Sequence, residues 1–194
     1  MSKNIEIEAK VLIEKDGYDQ LIEKFSSVNN KVYRQDNYYI DTPNFDVVEN
    51  KMGLRVRRKD NGYIEMTVKD KLEEGKLEVN QELTEEQFAG FLVGKIPTGE
   101  VLHYIQKRAP IKLDELKCYA ILITYRLDLH YKNSLISIDK SLYNGIIDYE
   151  VEAESTSMEQ AKKELHEFLD KEKILFNENH VSKLKRVRMT LKNN

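Results

Sequence analysis

A chain of 194 residues is long enough for one sizeable core, and 40% hydrophobic against 34% charged residues, with only 8 Gly and 3 Pro, is a globular composition that excludes wholesale disorder. The 31 Lys plus Arg and 34 Asp plus Glu leave a net charge of -3, which argues against a surface built for nucleic acid but permits a local basic site. The single cysteine, Cys118, excludes an internal disulfide; with no signal-like apolar run after Met1 the expected compartment is the cytoplasm, and no stretch approaches the ~20 apolar residues of a membrane-spanning helix.

The chain opens with Ile5-Glu6-Ile7-Glu8-Ala9-Lys10. Its period-two alternation predicts one strand with Glu6, Glu8 and Lys10 on one face and Ile5, Ile7 and Ala9 on the other. Such a face is commonly wet; alternatively it points inward, where carboxylates would hold a divalent cation and the lysine a phosphate. Tyr18, Leu21, Ile22 and Phe25 follow at helical spacing, with Asp16 placed to cap a short amphipathic helix. Val32 to Asp41 reads as a strand stopped by Thr42-Pro43. Gly53-Leu54-Arg55-Val56-Arg57 repeats the opening alternation in basic form, Asp60-Asn61-Gly62 has the chemistry of a tight turn, and the returning strand puts Glu65, Thr67 and Lys69 on one face. Arg55, Arg57 and Lys69 then share a face of neighbouring strands, which demands solvation or an anion. Leu77 to Leu83 alternates again and groups Glu78, Asn80 and Glu82.

Thr84-Glu85-Glu86-Gln87 is a capping box, with Phe88, Phe91 and Leu92 as the stripe of the helix behind it. From about 84 to 117 the chain reads as a helical insert broken by Pro97, Gly99 and Pro110, and no linker is long enough to divide residues 1–194 into separate domains. Cys118 to Lys132 is a long strand carrying Arg126, with Cys118 expected as a buried structural thiol. A turn at Asn133-Ser134 leads to a strand with Asp139 near its end, and Asn144-Gly145 turns the chain into Ile146 to Glu154. There Asp148, Glu150, Glu152 and Glu154 share one face, where four carboxylates in line repel unless water or a cation screens them. Ser157 caps a helix with Met158, Ala161, Leu165, Phe168 and Leu169 on its buried stripe. The basic tail from Ser182 is either a solvated terminus or a return of Lys183 or Arg186 to a site. His103, His130, His166 and His180 make no zinc pattern, and without a Gly-rich loop any phosphate must be held by side chains.

Collected by face, the acids are Glu6, Glu8, Asp139, Glu150 and Glu152, and the bases are Lys10, Arg55, Arg57, Lys69, Arg126 and Lys183. Each unpaired buried charge costs several kcal/mol, so an inward arrangement requires a hydrated, ligand-filled interior such as a closed antiparallel barrel. Oxygen-only ligands suit Mg²⁺ or Mn²⁺ bridged to phosphate, arginine clamps phosphate bidentately, and lysine acts as a point charge. The implied substrate is a metal-binding polyanion with phosphate oxygens.

This constellation resembles the CYTH domain proteins, also called triphosphate tunnel metalloenzymes. Glu6-Ile7-Glu8-Ala9-Lys10 is similar to their ExExK signature; Tyr38 to Pro43, Leu54 to Arg57, Thr67 to Lys69, Arg126, Ile138-Asp139, Tyr149 to Glu152 and Ser182-Lys183 look like the later motifs in the same order. The resemblance implies an α+β fold, an eight-stranded antiparallel β-barrel or tunnel with helices packed outside. It also implies Glu6, Glu8, Asp139, Glu150 and Glu152 as ligands of Mg²⁺ or Mn²⁺. Lys10, Arg55, Arg57, Lys69, Arg126 and Lys183 would hold the triphosphate, with Glu150, Glu152 and Lys10 catalytic. Glu78 and Glu82 either orient the arginines or form surface ion pairs. The pattern looks closest to small Gram-positive members described as adenylate cyclase-like or triphosphatase. The leading expectation is a metal-dependent triphosphatase, above all on inorganic triphosphate, releasing phosphate by in-line water attack. Alternatives are cyclisation of ATP, although Ser2-Lys3-Asn4 stands where the class IV cyclases carry a His-Phe pair; thiamine triphosphate hydrolysis, which needs an aromatic platform from 11 Tyr and no Trp; and a non-catalytic triphosphate- or nucleotide-binding module. The expected partner is a small-molecule triphosphate, with neither nucleic acid nor membrane.

Overall fold

The opening alternation does not run through as one strand. Ile7 leaves the ladder, so that β1 spans Ser2–Glu6 and β2 spans Glu8–Ile13. The two pieces take different neighbours: β1 lies beside β6 (Lys76–Glu82), whereas β2 pairs antiparallel with β9 (Ile146–Glu154). The Ile7 carbonyl accepts a hydrogen bond from Ser155 N at 3.1 Å, just past the end of β9. In this computed structural model, which describes residues 2–191, the other strands are β3 (Tyr33–Asp41), β4 (Met52–Lys59), β5 (Ile64–Lys71), β7 (Lys117–Tyr131), β8 (Ser134–Tyr143) and β10 (Phe176–Glu178). The helices are α1 (Lys15–Phe25), α2 (Asp46–Glu49), α3 (Glu85–Leu92), α4 (Glu100–Arg108), α5 (Met158–Glu172) and α6 (Lys183–Leu191). The α+β, antiparallel expectation holds, but with ten strands rather than eight, because of the break at Ile7 and the short β10.

The chain folds as two compact units interleaved in sequence: residues up to Ile5 with Asp36–Leu122, and Glu6–Gln35 with the chain from Ile123 onward. In the first unit the strand order is β1-β6-β5-β4-β3, an open run. Leu54 and Val56, Met66 and Val68, and Val79 form one apolar face, covered by Phe88 and Phe91 of α3 and by Val101, Leu102 and Ile105 of α4. Burying a side chain of this size is worth roughly 1.5–3 kcal/mol, so the insert is core rather than ornament. Thr84 and Gln87 form the expected capping box. Leu92, expected on the stripe, is instead exposed: Phe88 and Phe91 already fill the inward face three residues apart, and Leu92 closes the helix a turn of 100° away. Cys118 is also exposed, not buried, at the start of β7.

In the second unit the order is β7-β8-β9-β2-β10, likewise open. Its apolar face, built from Leu127, Ile136, Ile138, Val151, Ala153 and Val11, packs against Leu21 of α1 and Leu165, Phe168 and Leu169 of α5. Asp16 is not the cap of α1: Glu14 holds that position without a side-chain bond, and Asp16 sits in the first turn, where its charge favours the helix dipole. The β7–β8 turn falls one residue earlier than expected, at Lys132-Asn133, because Ser134 already belongs to β8. Asn144 and Gly145 turn with φ of 46° and 78°, as a two-residue hairpin demands. Among the described residues no helix is long and apolar enough to cross a membrane.

Candidate functional site

Because side chains alternate, the strand faces turned away from these cores collect the charged residues. In the second unit the register lines up Arg126, Asp139, Glu150 and Leu12 in one row and Asp128, Ser137, Glu152 and Lys10 in the next. This face is not wet: Asp139 and Glu150 are each 0% exposed and Glu152 is 9%. Asp139, Glu150 and Glu152 each offer an oxygen, all within 4.8 Å of one another.

These oxygens converge on one cation. Lys183 opens α6, and its Nζ lies 2.9 Å from Asp139 Oδ2 and 2.7 Å from Glu152 Oε1, and bonds Glu150 Oε1 as well. Arg126 forks onto Asp139, donating from Nε to Oδ1 at 2.7 Å and from Nη2 to Oδ2 at 2.6 Å, and reaches Glu152 Oε2 at 2.6 Å. Glu150 Oε2 accepts from Asn179 Nδ2 at 2.6 Å and from Arg186 Nη1 at 2.7 Å. Lys10 donates to Glu8 Oε1 at 2.6 Å and stands 3.9 Å from Glu152. The basic tail is therefore a helix, begun by Ser182, whose Oγ accepts from Lys185 N at 3.2 Å. Its Lys183 and Arg186, three residues apart, share the face that meets the acids.

The titration of these groups follows from burial and neighbours. Burial disfavours charge on all of them, but Asp139 and Glu150 hold the Lys183 ammonium well above the usual lysine range. Burial likewise opposes Arg126, and Asp139 and Glu152 overcome it, raising the guanidinium further. Asp139 and Glu152, both raised by burial and then drawn down by Arg126 and Lys183, end below the carboxylate range. Glu150 ends above it, because burial and the neighbouring Glu152 carboxylate outweigh Lys183.

Three hard oxygen donors closing on a single positive charge, with no sulfur or imidazole among them, suit Mg²⁺ or Mn²⁺, and the Lys183 ammonium is a stand-in cation among the same oxygens. Of the five acids expected as ligands, Asp139, Glu150 and Glu152 come together. Glu8 is engaged by Lys10, and Glu6 lies on β1 beyond the Ile7 break, so neither joins the trio.

In the first unit the register stacks Gly53, Lys69 and Glu78; Arg55, Thr67 and Asn80; and Arg57, Glu65 and Glu82. The cations expected to crowd one another are staggered, each beside a carboxylate or neutral group. Lys69 Nζ lies 2.6 Å from Glu78, Arg57 lies 3.7 Å from Glu65 and donates from Nε to Asn37 Oδ1 at 2.8 Å, and Arg55 Nε is buried without a partner. Burial raises the Glu78 carboxyl, but Lys69, Arg55 and Arg57 prevail and lower it to about 2. Glu78 is thus ion-paired with Lys69, whereas Glu82 is exposed and faces Glu65. Sequence reasoning passed over Asn179 and Asn37, which carry no local signal, and left Asp148 out although it shared the face of Glu150.

The CYTH domain model matches residues 4–187. The chain belongs to the CYTH domain family. It is 31% identical over 170 residues, 87% of either chain, to YjbK of Bacillus subtilis, provisionally named a triphosphatase. A solved structure from Bacillus halodurans, provisionally named an adenylate cyclase, superposes with a TM-score of 0.85 at 31% identity, covering 96% of this chain and 98% of that one. HpAC1 from Hippeastrum, named for adenylyl cyclase but with a dominant triphosphatase activity, gives a TM-score of 0.76 at 22% identity over 96% of each chain, a likeness of fold. The acid trio is compatible with the divalent metal that the family implies.

Proposed function

We propose that this CYTH protein is a metal-dependent hydrolase of triphosphate compounds, with inorganic triphosphate as its preferred substrate and the cytoplasm as its site of action. The observation that carries the proposal is the convergence of Asp139, Glu150 and Glu152 on one cation position, bordered by Arg126 and Lys10. A module that only bound an anion would need the bases; buried acids with aligned oxygens are a liability unless a cation is part of the work. When bound there, Mg²⁺ or Mn²⁺ would polarise phosphate oxygens and acidify water.

The chain's own residues supply the rest. Glu150 and Glu152, each through its Oε1, would hold the cation beside the attacking water. Lys10, Arg126 and Lys183 in the second unit bind phosphate oxygens and offset the charge that spreads over them in the transition state, while Arg55, Arg57 and Lys69 give the first unit an anion-binding face of its own. Glu6 and Glu8 remain candidates for a further cation. Cyclisation of ATP would need a pocket for adenine and ribose beyond the phosphates.

The test is phosphate release from inorganic triphosphate, ATP and thiamine triphosphate, each with Mg²⁺, Mn²⁺ or chelator, with the ATP products assayed for cyclic AMP. Metal-dependent release from inorganic triphosphate should fall at least about 100-fold in Glu150→Gln and Glu152→Gln, with binding less affected. Unchanged turnover in both variants would sink the assignment, and cyclic AMP as the main product would replace it.

A further inference from the structure

Among the three convergent carboxylates, Glu150 is the one that Arg126 does not hold. Asp139 and Glu152 have an outer oxygen fixed by that guanidinium, but Glu150 Oε2 rests on Asn179 at 2.6 Å and Arg186 at 2.7 Å. Both donors are themselves anchored. Asn179 is only 6% exposed, and its Oδ1 accepts from Val181 N at 2.9 Å. Arg186 donates from Nη1 to the Val181 carbonyl at 2.9 Å and from Nε to Asp148 Oδ2 at 2.9 Å, and Tyr143 donates to that same oxygen at 2.7 Å.

The geometry points to Asn179 and Arg186 as positioning residues for the cation site. They hold Glu150 Oε2 so that Oε1 stays aimed at the position it shares with Asp139 Oδ2 and Glu152 Oε1. A glutamate gripped by one oxygen cannot turn to chelate with both or swing away, and such outer contacts set the affinity of an oxygen-ligand site. Arg186 does this as a fork, one arm on Asp148 and one on Glu150, which a lysine cannot reproduce. Asn179 contributes a neutral donor, where a carboxylate of the same shape would repel Glu150. The inference rests on the reading that the trio takes a divalent cation.

The experiment titrates Mn²⁺ into the metal-free protein without substrate, by calorimetry, and records the electron paramagnetic resonance spectrum of the bound ion. Wild type is compared with Asn179→Ala, the isosteric Asn179→Asp, Arg186→Lys and Asp139→Asn, each checked for fold by circular dichroism and melting temperature. Both Asn179 variants and Arg186→Lys should bind Mn²⁺ about 10–100-fold more weakly, with an altered spectrum. A purely structural role would lower the melting temperature and leave the Mn²⁺ affinity of folded protein alone. If folded Asn179→Asp and Arg186→Lys bind Mn²⁺ within about twofold of wild type while Asp139→Asn does not, the positioning role is overturned and the cation reading stands. If wild type binds no Mn²⁺, the cation reading falls and takes this inference with it.

Discussion

On the charged face of the first unit, neighbouring strands neutralise one another. Arg57 sits across from Glu65, Lys69 lies between Gly53 and Glu78, and the neutral Thr67 faces Arg55. On the charged face of the second unit, the ladder sets Asp139 directly across from Glu150, acid against acid, and relief comes from Arg126 across from Asp139 and from Lys183 and Arg186 on the last helix. A strand face that pairs its own charges is a stable surface able to wait for an anion. One that gathers acids is poised for a cation, and it depends on whatever cation is supplied.

That dependence should show most strongly in Lys183→Met. Removing one partner from a buried ion cluster costs about 3–5 kcal/mol, so urea unfolding in chelator should reveal a loss of that size, with excess Mn²⁺ restoring part of it by binding the folded state. A variant as stable as wild type in chelator would mean that the acid trio needs no resident cation.

The first unit offers the next effect, through Glu78. Its folded carboxyl lies at about 2, below its ordinary value of 4.5, because Lys69, Arg55 and Arg57 outweigh burial. A depressed carboxyl contributes stability that is present above the unfolded value and lost as pH falls through the folded one. Glu78→Gln should therefore cost about 2–3 kcal/mol at pH 7, and the gap to wild type should close between pH 4.5 and about 2. A gap that stays constant in denaturation midpoints across that window would show that the strand charges do not pair as described. The smallest effect belongs to Glu82, exposed and opposite Glu65. Glu82→Gln should change the unfolding free energy from urea titration by no more than about 0.5 kcal/mol, toward greater stability, since it relieves a like-charge pair.

Seven of the ten strands, β3 to β9, with the capping box at Thr84, the cap at Ser157 and the turn at Asn144-Gly145, were legible in the sequence, because each is written in residues within a few positions of one another. The break at Ile7 was not, since nothing local distinguishes Ile7 from Ile5; it arises where β1 and β2 leave for different partners. Leu92 and Cys118 were misplaced for a related reason: apolar character states what a residue tolerates, while exposure depends on what packs above it.

The candidate site divides along the same line. Period-two alternation, a property of the strand backbone itself, determined that Glu150 shares a face with Glu152, that Lys10 shares one with Glu8, and that Arg55 and Arg57 point the same way. Whether that face lies inside, and which oxygen meets which cation, was decided by pairings between residues far apart in sequence: Lys10 opposite Glu152, Asp139 opposite Glu150, and α6 folded back so that Lys183 and Arg186 reach the acids. Asn179 belongs wholly to that second category. An asparagine in an irregular segment announces nothing, and it becomes part of the site only because the fold carries its amide to within 2.6 Å of Glu150.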